Sequence, residues 1–171
     1  MADVLEKEQK LITTLLMEMM AFDIADPKRI QHFLKVHSLA RLIGKEENLD
    51  TKAQIIVEAA AIVHDIAVIP CENKYGKCDG KLQEQEGPKY ARTLMKEVGF
   101  SEDTIDRVCW LVAHHHSYKE IKTIDLQILV EADFLVNLYE DGINEEGQRK
   151  ALKNIFKTET GIEILYTMYG L

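Results

Sequence analysis

Apolar residues recur at three- and four-residue spacings along almost the whole chain. In "VLEKEQKLITTLLMEMMAF" the positions Leu5, Ile12, Leu15, Leu16, Met19 and Met20 fall on one helical stripe, and its methionines read as core packing. In "ADPKRIQHFLKVHSLARLIGKEENLD", Asp26 is placed to cap a helix whose first position is Pro27. Asp50 is placed to cap the next one, "TKAQIIVEAAAIVHDIA". The pattern breaks at "VIPCENKYGKCDGK", where Pro70, Gly76 and Gly80 predict a loop. Helix resumes around "PKYARTLMKEVGF" and stops at Gly99, and Ser101 then caps "EDTIDRVCWLVAHHH". "DLQILVEADFLVNLYEDG" is apolar on most faces and ends at Gly142. The remaining segment predicts two shorter helices broken near Thr158 to Gly161. No alternating strand pattern of convincing length, internal repeat, linker or low-complexity tract appears. The expectation is one all-α domain, a multi-helix bundle over residues 1–171.

Composition supports this and narrows the function. A chain of 171 residues with 46% hydrophobic content can bury a sizeable core. A net charge of −8 argues against a nucleic-acid polymer as partner. It leaves room for a small anionic substrate, because a bound metal reverses the field inside one cleft. Cys71, Cys78 and Cys109 are odd in number and irregularly spaced, which fits ordinary thiols in a reducing cytoplasm. Cys71 and Cys78 lack the short spacing of a zinc knuckle. "MADVLEKEQK" does not read as a signal peptide, and no apolar run is expected to approach the ~20 residues of a membrane span. A cytoplasmic protein without a membrane partner is expected; a homodimer is left open.

The candidate chemistry lies in six histidines grouped in three places. These are His32 with His37, then His64, then His114, His115 and His116, each within or at the end of a predicted helix. His64 stands beside Asp65 after a run of small apolar residues, and Asp133 sits among Leu129, Val130, Phe134 and Leu135. A carboxylate in such surroundings needs a cation, a hydrogen-bond partner or a raised pKa. Taken singly, each histidine fits an ordinary hydrogen-bonded position. Taken together with Asp65 and Asp133, they point to a divalent metal, since imidazole and carboxylate suit Zn, Fe, Mn and related ions. Ligands drawn from several helices of a bundle form a known architecture for such sites.

"RIQHFLKVHSLARLI", "AAAIVHDIA", "LVAHHH" and "LVEADFLVN" resemble the successive motifs of the HD-domain superfamily of metal-dependent phosphohydrolases. The resemblance runs over about Arg29 to Gly142, within a motif-bearing core of about 27–142. Arg29, His32, Val36 and Ala40 match the first motif. His37 is the weaker candidate, because it lies five residues on, ~140° around the helix. The resemblance implies an HD-type bundle in which His32, His64, Asp65 and Asp133 hold the principal metal. It leaves a second metal open. His114 and His115 stand in the best register for it, but no histidine lies between Asp65 and His114. Glu84 or Glu86 would supply oxygen there, Glu86 being nearer the matching register. An exposed helix end, where protonated histidine is favoured by the dipole, is the plainer reading of "HHH".

The implied activity is hydrolysis of a phosphoester in a nucleotide or related small phosphorylated molecule, as a phosphomonoesterase or phosphodiesterase. The cofactor would be Mn, Fe, Zn, Co, Ni or Mg, activating a water. Asp65 would ligate the ion and orient the water, and His114 or His115 is a candidate acid. Lys74, Lys77 and Lys81 in the predicted loop, with Arg29 and Arg92, are candidate partners of the substrate phosphate, although a solvated loop explains the lysines equally simply. Trp110 and Tyr118 flank the histidine cluster as candidates for stacking on a base; Trp110, within "VCWLVA", reads better as core. Two other readings stay open: a di-iron oxygenase on the same scaffold, and a non-catalytic metal-stabilised ligand-binding domain.

Overall fold

Helix α3 (Thr51–Val63) is the axis of the molecule, with every residue from Gln54 to Val63 buried. Its run of Ala59, Ala60 and Ala61 lets neighbouring helices approach closely. In the computed structural model, which describes residues 2–171, α1 (Ala2–Phe22), α2 (Pro27–Glu46) and α3 are followed by α4 (Val68–Tyr75) and α5 (Gly80–Val98). Then come α6 (Glu102–Val112), a 3-10 turn (Tyr118–Glu120), α7 (Ile124–Glu140), α8 (Glu145–Asn154) and α9 (Glu159–Tyr169). The described residues contain no strand, as the periodicity requires. α2, α3 and α7 each pack on the other two; α1 and α6 also lie on α3, and α5 pairs with α6. Side chains from all of these feed one continuous apolar core.

The helix starts follow local chemistry. The Asp26 side chain accepts from the Arg29 amide at 3.1 Å with Pro27 at the first helical position, and Asp50 accepts from the Ala53 amide at 2.8 Å. Ser101 occupies the cap position of α6 without a capping bond of its own; the buried Glu8 of α1 accepts from the Ser101 amide at 2.8 Å instead. Gly99 and Gly142 close their helices at φ of 103° and 62°, in the left-handed region. Thr158 caps α9, accepting from the Gly161 amide at 2.9 Å.

Two expectations need correction. The predicted loop over "VIPCENKYGKCDGK" is mostly helix: α4 spans Val68–Tyr75 and α5 begins at Gly80. Pro70 is the third residue of α4, where the amide it lacks has no intrahelical acceptor, so it breaks nothing. Gly76 ends α4 at φ 71°, and Asp79 caps α5 by accepting from the Leu82 amide at 3.0 Å. Pro88 therefore lies inside α5 rather than at its start. Second, the stretch Thr51–Tyr75 does reach the length and apolar character of a membrane span, yet 83% of its apolar 18-residue portion is buried inside the protein.

Candidate metal centre

Three elements deliver four donors to one point. α2 carries His32 on its buried face, one helical turn before Val36 and two before Ala40. α3 ends at Val63, and the turn that follows presents His64 and Asp65. α7, buried on most faces, carries Asp133. His32 Nε2 lies 3.2 Å from His64 Nε2, 3.3 Å from Asp133 Oδ1 and 3.6 Å from Asp65 Oδ2. His64 Nε2 lies 3.5 Å from Asp133 Oδ1 and 3.6 Å from Asp65 Oδ2.

Neighbouring groups fix which ring nitrogens face inward. His64 Nδ1–H donates to the Ala61 carbonyl at 2.9 Å, and His32 Nδ1–H donates to Glu140 Oε2 at 2.9 Å. Lys35 pairs with the other Glu140 oxygen, and Asn137 Nδ2 donates to Asp133 Oδ1 at 2.8 Å. In these tautomers both Nε2 lone pairs point at each other and at two carboxylates. Four converging lone pairs repel unless a cation lies among them. Their spacing suits one: donors held at the usual zinc distances around a tetrahedral centre are about 3.3–3.6 Å apart. Without an ion, protons take its place. Burial opposes a charge on His64, but the Asp65 and Asp133 carboxylates prevail and raise its pKa to about 9. Burial likewise works against the two carboxylates, and the imidazoles still hold both well below the usual range.

A second donor group adjoins the first. Asp65, His115 and His116 bring potential ligand atoms within 4.8 Å of one another, with His115 Nε2 3.7 Å from Asp65 Oδ1. His115 Nδ1–H donates to the Val112 carbonyl at 2.7 Å, which turns its Nε2 toward Asp65. The register expected from sequence is shifted by one residue. His114 turns away, stacks on Trp110 with ring centroids 4.1 Å apart and donates from Nδ1 to the Trp110 carbonyl. The residue facing His115 and His116 from α5 is Gln83, whose Oε1 lies 3.3 Å and 2.7 Å from their Nε2 atoms. Glu86 turns instead to Tyr75, accepting from its hydroxyl at 3.0 Å, and Glu84 accepts from the His116 amide at 3.0 Å. Gly80 admits this arrangement: a Cβ there would meet the His116 ring at 2.8 Å. Burial, reinforced by His115, lowers the His116 pKa to about 4.

A cavity of about 190 Å3 opens on the principal donors, lined by His32, Asp65 and Arg29 together with Asp23, Asn137 and Glu140. Arg29 stands on its wall, bonded to Glu72 at 2.9 Å and 3.1 Å from Asp26. Lys74 and Lys81 are exposed and do not line it: Lys74 lies over the Tyr75 ring at 4.6 Å, and both sit where α4 ends and α5 begins, facing solvent. Lys77 is 3.6 Å from Asp79, and Arg92 pairs with Glu102 and Asp106 across α5 and α6. His37 belongs to a separate buried pair with Glu58 at 3.1 Å, as its angular offset from His32 dictates. Trp110 is partly exposed rather than core, between the Arg107 guanidinium at 4.4 Å and the His114 ring. Tyr118 bonds His116 Nδ1 at 3.0 Å.

The HD domain family model matches residues 29–148. The chain is similar to a predicted HD superfamily hydrolase from an uncultured Thermotogales bacterium, known from a crystal structure. The two share 25% sequence identity at a TM-score of 0.63, over 95% of this chain and 84% of the other. No curated protein matches the chain. A family model covering well over half of the chain, with a helical relative of the same superfamily, places this protein in the HD-domain family of metal-dependent phosphohydrolases.

Proposed function

We propose that this protein hydrolyses a phosphoester of a nucleotide or related small phosphorylated molecule, with His32, His64, Asp65 and Asp133 holding a divalent ion. The observation that carries the reading is the inward convergence of two imidazole lone pairs and two carboxylates beside an open cavity. A divalent ion supplies charge neutralisation at a phosphoryl oxygen and water of lowered pKa. The chain's own residues do the rest. Asp65 is the ligand with a solvent-facing side chain, 30% exposed, and is placed to accept a proton from water entering through the cavity. Arg29 presents its guanidinium to the same cavity and suits the phosphate. His115, rather than His114, stands next to Asp65 and is the candidate to protonate the leaving oxygen or to hold a second ion.

A purely structural metal site closes its coordination with protein donors. The exposed Asp65 and the adjoining cavity favour a catalytic site instead. A screen of nucleoside mono- and diphosphates, cyclic nucleotides and sugar phosphates with Mn, Fe, Co or Ni tests the proposal. Phosphate release that disappears in Asp65→Ala, with the helical content retained, is the expected result. Tight metal uptake with no turnover of any phosphoester would overturn it, and oxygen consumption without phosphate release would favour an oxygenase.

A further inference from the structure

One wall of the cavity beside the metal centre carries a group that the four-donor site does not use. Asp23 lies just past the end of α1, in a turn where Ala25 adopts a φ of 65°. It is only 4% exposed and lines the cavity with His32, Asp65 and Arg29. Among the described residues its carboxylate accepts no hydrogen bond and closes no ion pair. The other acids around it are engaged. Asp26 caps α2 and pairs with Arg29, while Glu140 is bonded to His32 and Lys35. Asp141 sits exposed at the rim. Without a protein donor, this carboxylate is hydrated only through the cavity it faces and loses part of the solvation it has in bulk water. Burial accordingly pushes Asp23 up to about 6, with Arg29 opposing and Asp26 and Asp65 adding to the rise.

We propose that Asp23 accepts a hydrogen bond from a hydroxyl or protonated amine on the organic part of a small phosphomonoester whose phosphate faces the metal centre. The assignment rests on the phosphohydrolase reading and adds the substrate class to it. The cavity volume of about 190 Å3 corresponds to roughly six water volumes, enough for a short phosphorylated alcohol or a single sugar ring. Any larger substituent, such as a base, then lies outside. Asp23 and Asp141 disfavour additional phosphates on the same side, which argues for a monoester over a polyphosphate chain.

Three phosphonates that a phosphohydrolase does not cleave test this directly: ethylphosphonate, 2-hydroxyethylphosphonate and 2-aminoethylphosphonate. Their affinities are measured calorimetrically on the Mn-loaded protein. The wild type is expected to bind the hydroxyl or the amino probe, and so identify the donor, at least about tenfold tighter than ethylphosphonate. That preference is expected to collapse in Asp23→Ala, and in Asp23→Leu should the alanine variant fail to fold, because neither side chain can accept a hydrogen bond. Equal affinity for all three probes, binding of none of them, or a preference that survives both substitutions overturns the assignment. Because no probe is hydrolysed, a retained preference without phosphate release from any substrate would sink the hydrolase reading alone.

Discussion

Glu140 and Asn137 set the direction of the candidate metal donors rather than joining them. They lie two turns and one turn past Asp133 on α7 and hold His32 and Asp133 in place, respectively. Outer-shell partners of this kind control metal affinity by about 10–100-fold. Glu140→Gln and Asn137→Ala are each expected to weaken Mn or Co binding by about that factor, read by calorimetry, while the fold persists. The convergence of His32, His64, Asp65 and Asp133 was legible in the sequence because histidine and aspartate are costly in apolar surroundings. Their supports were not. Asn and Glu are ordinary on a helix surface, and only the spacing of four and seven residues from Asp133 hinted at a shared face. Gln83 gave no signal at all, since it meets His115 and His116 across more than thirty residues of chain. The one-residue shift from His114 to His115 and His116 has a local cause: α6 ends at Val112, and the following turn, rather than a continued helix, decides where each ring points.

Elements follow rules that sequence carries in part. The caps Asp26 and Asp50 were legible because a side-chain acceptor before an apolar period has a local purpose. Asp26→Ala is expected to cost about 1 kcal/mol and to loosen Arg29 at the cavity wall, measured by denaturant unfolding. α4 was hidden because Pro70 and Gly76 read as loop residues, whereas one stands in a first turn and the other just past a last turn. The join between α8 and α9 depends on a residue with no sequence signature. Glu131 of α7 is fully buried and accepts from Gln127 Nε2 at 2.7 Å, from the amides of Lys157 and Thr158 at 2.6 and 3.0 Å, and from the Thr158 hydroxyl. Gly161 is required beside it, since a Cβ there would meet Glu131 Oε2 at 2.0 Å. Glu131→Ala strands these buried donors and is expected to cost about 3 kcal/mol, with early hydrogen exchange in residues 155–165.

The whole molecule inherits the electrostatics of its centre. In the metal-free protein the folded pKa of His64 stands at about 9, above its ordinary 6.5. The stability it contributes is therefore complete below about 6.5 and is lost as pH rises through about 9. Asp65 and Asp133 have depressed values, so their contribution is present above the ordinary carboxylate range and is lost on acidification below it. The melting temperature of the metal-free protein is expected to fall between about pH 6.5 and 9. Added Mn should raise it, and by more at alkaline than at mildly acidic pH, because protons and the ion compete for the same nitrogens. A melting temperature of the metal-free protein that stays flat over that range would show that His64 does not carry the proton assigned to it.

The most direct measurement is calorimetric titration of the metal-free protein with Mn or Co near neutral pH, wild type beside Asp133→Asn and His32→Ala. At least one tightly bound ion per chain, lost in both variants with helical content intact, is the predicted result. A wild type that takes up no divalent ion, or variants that bind as tightly as the wild type, would contradict a site shared by α2, α7 and the turn after α3.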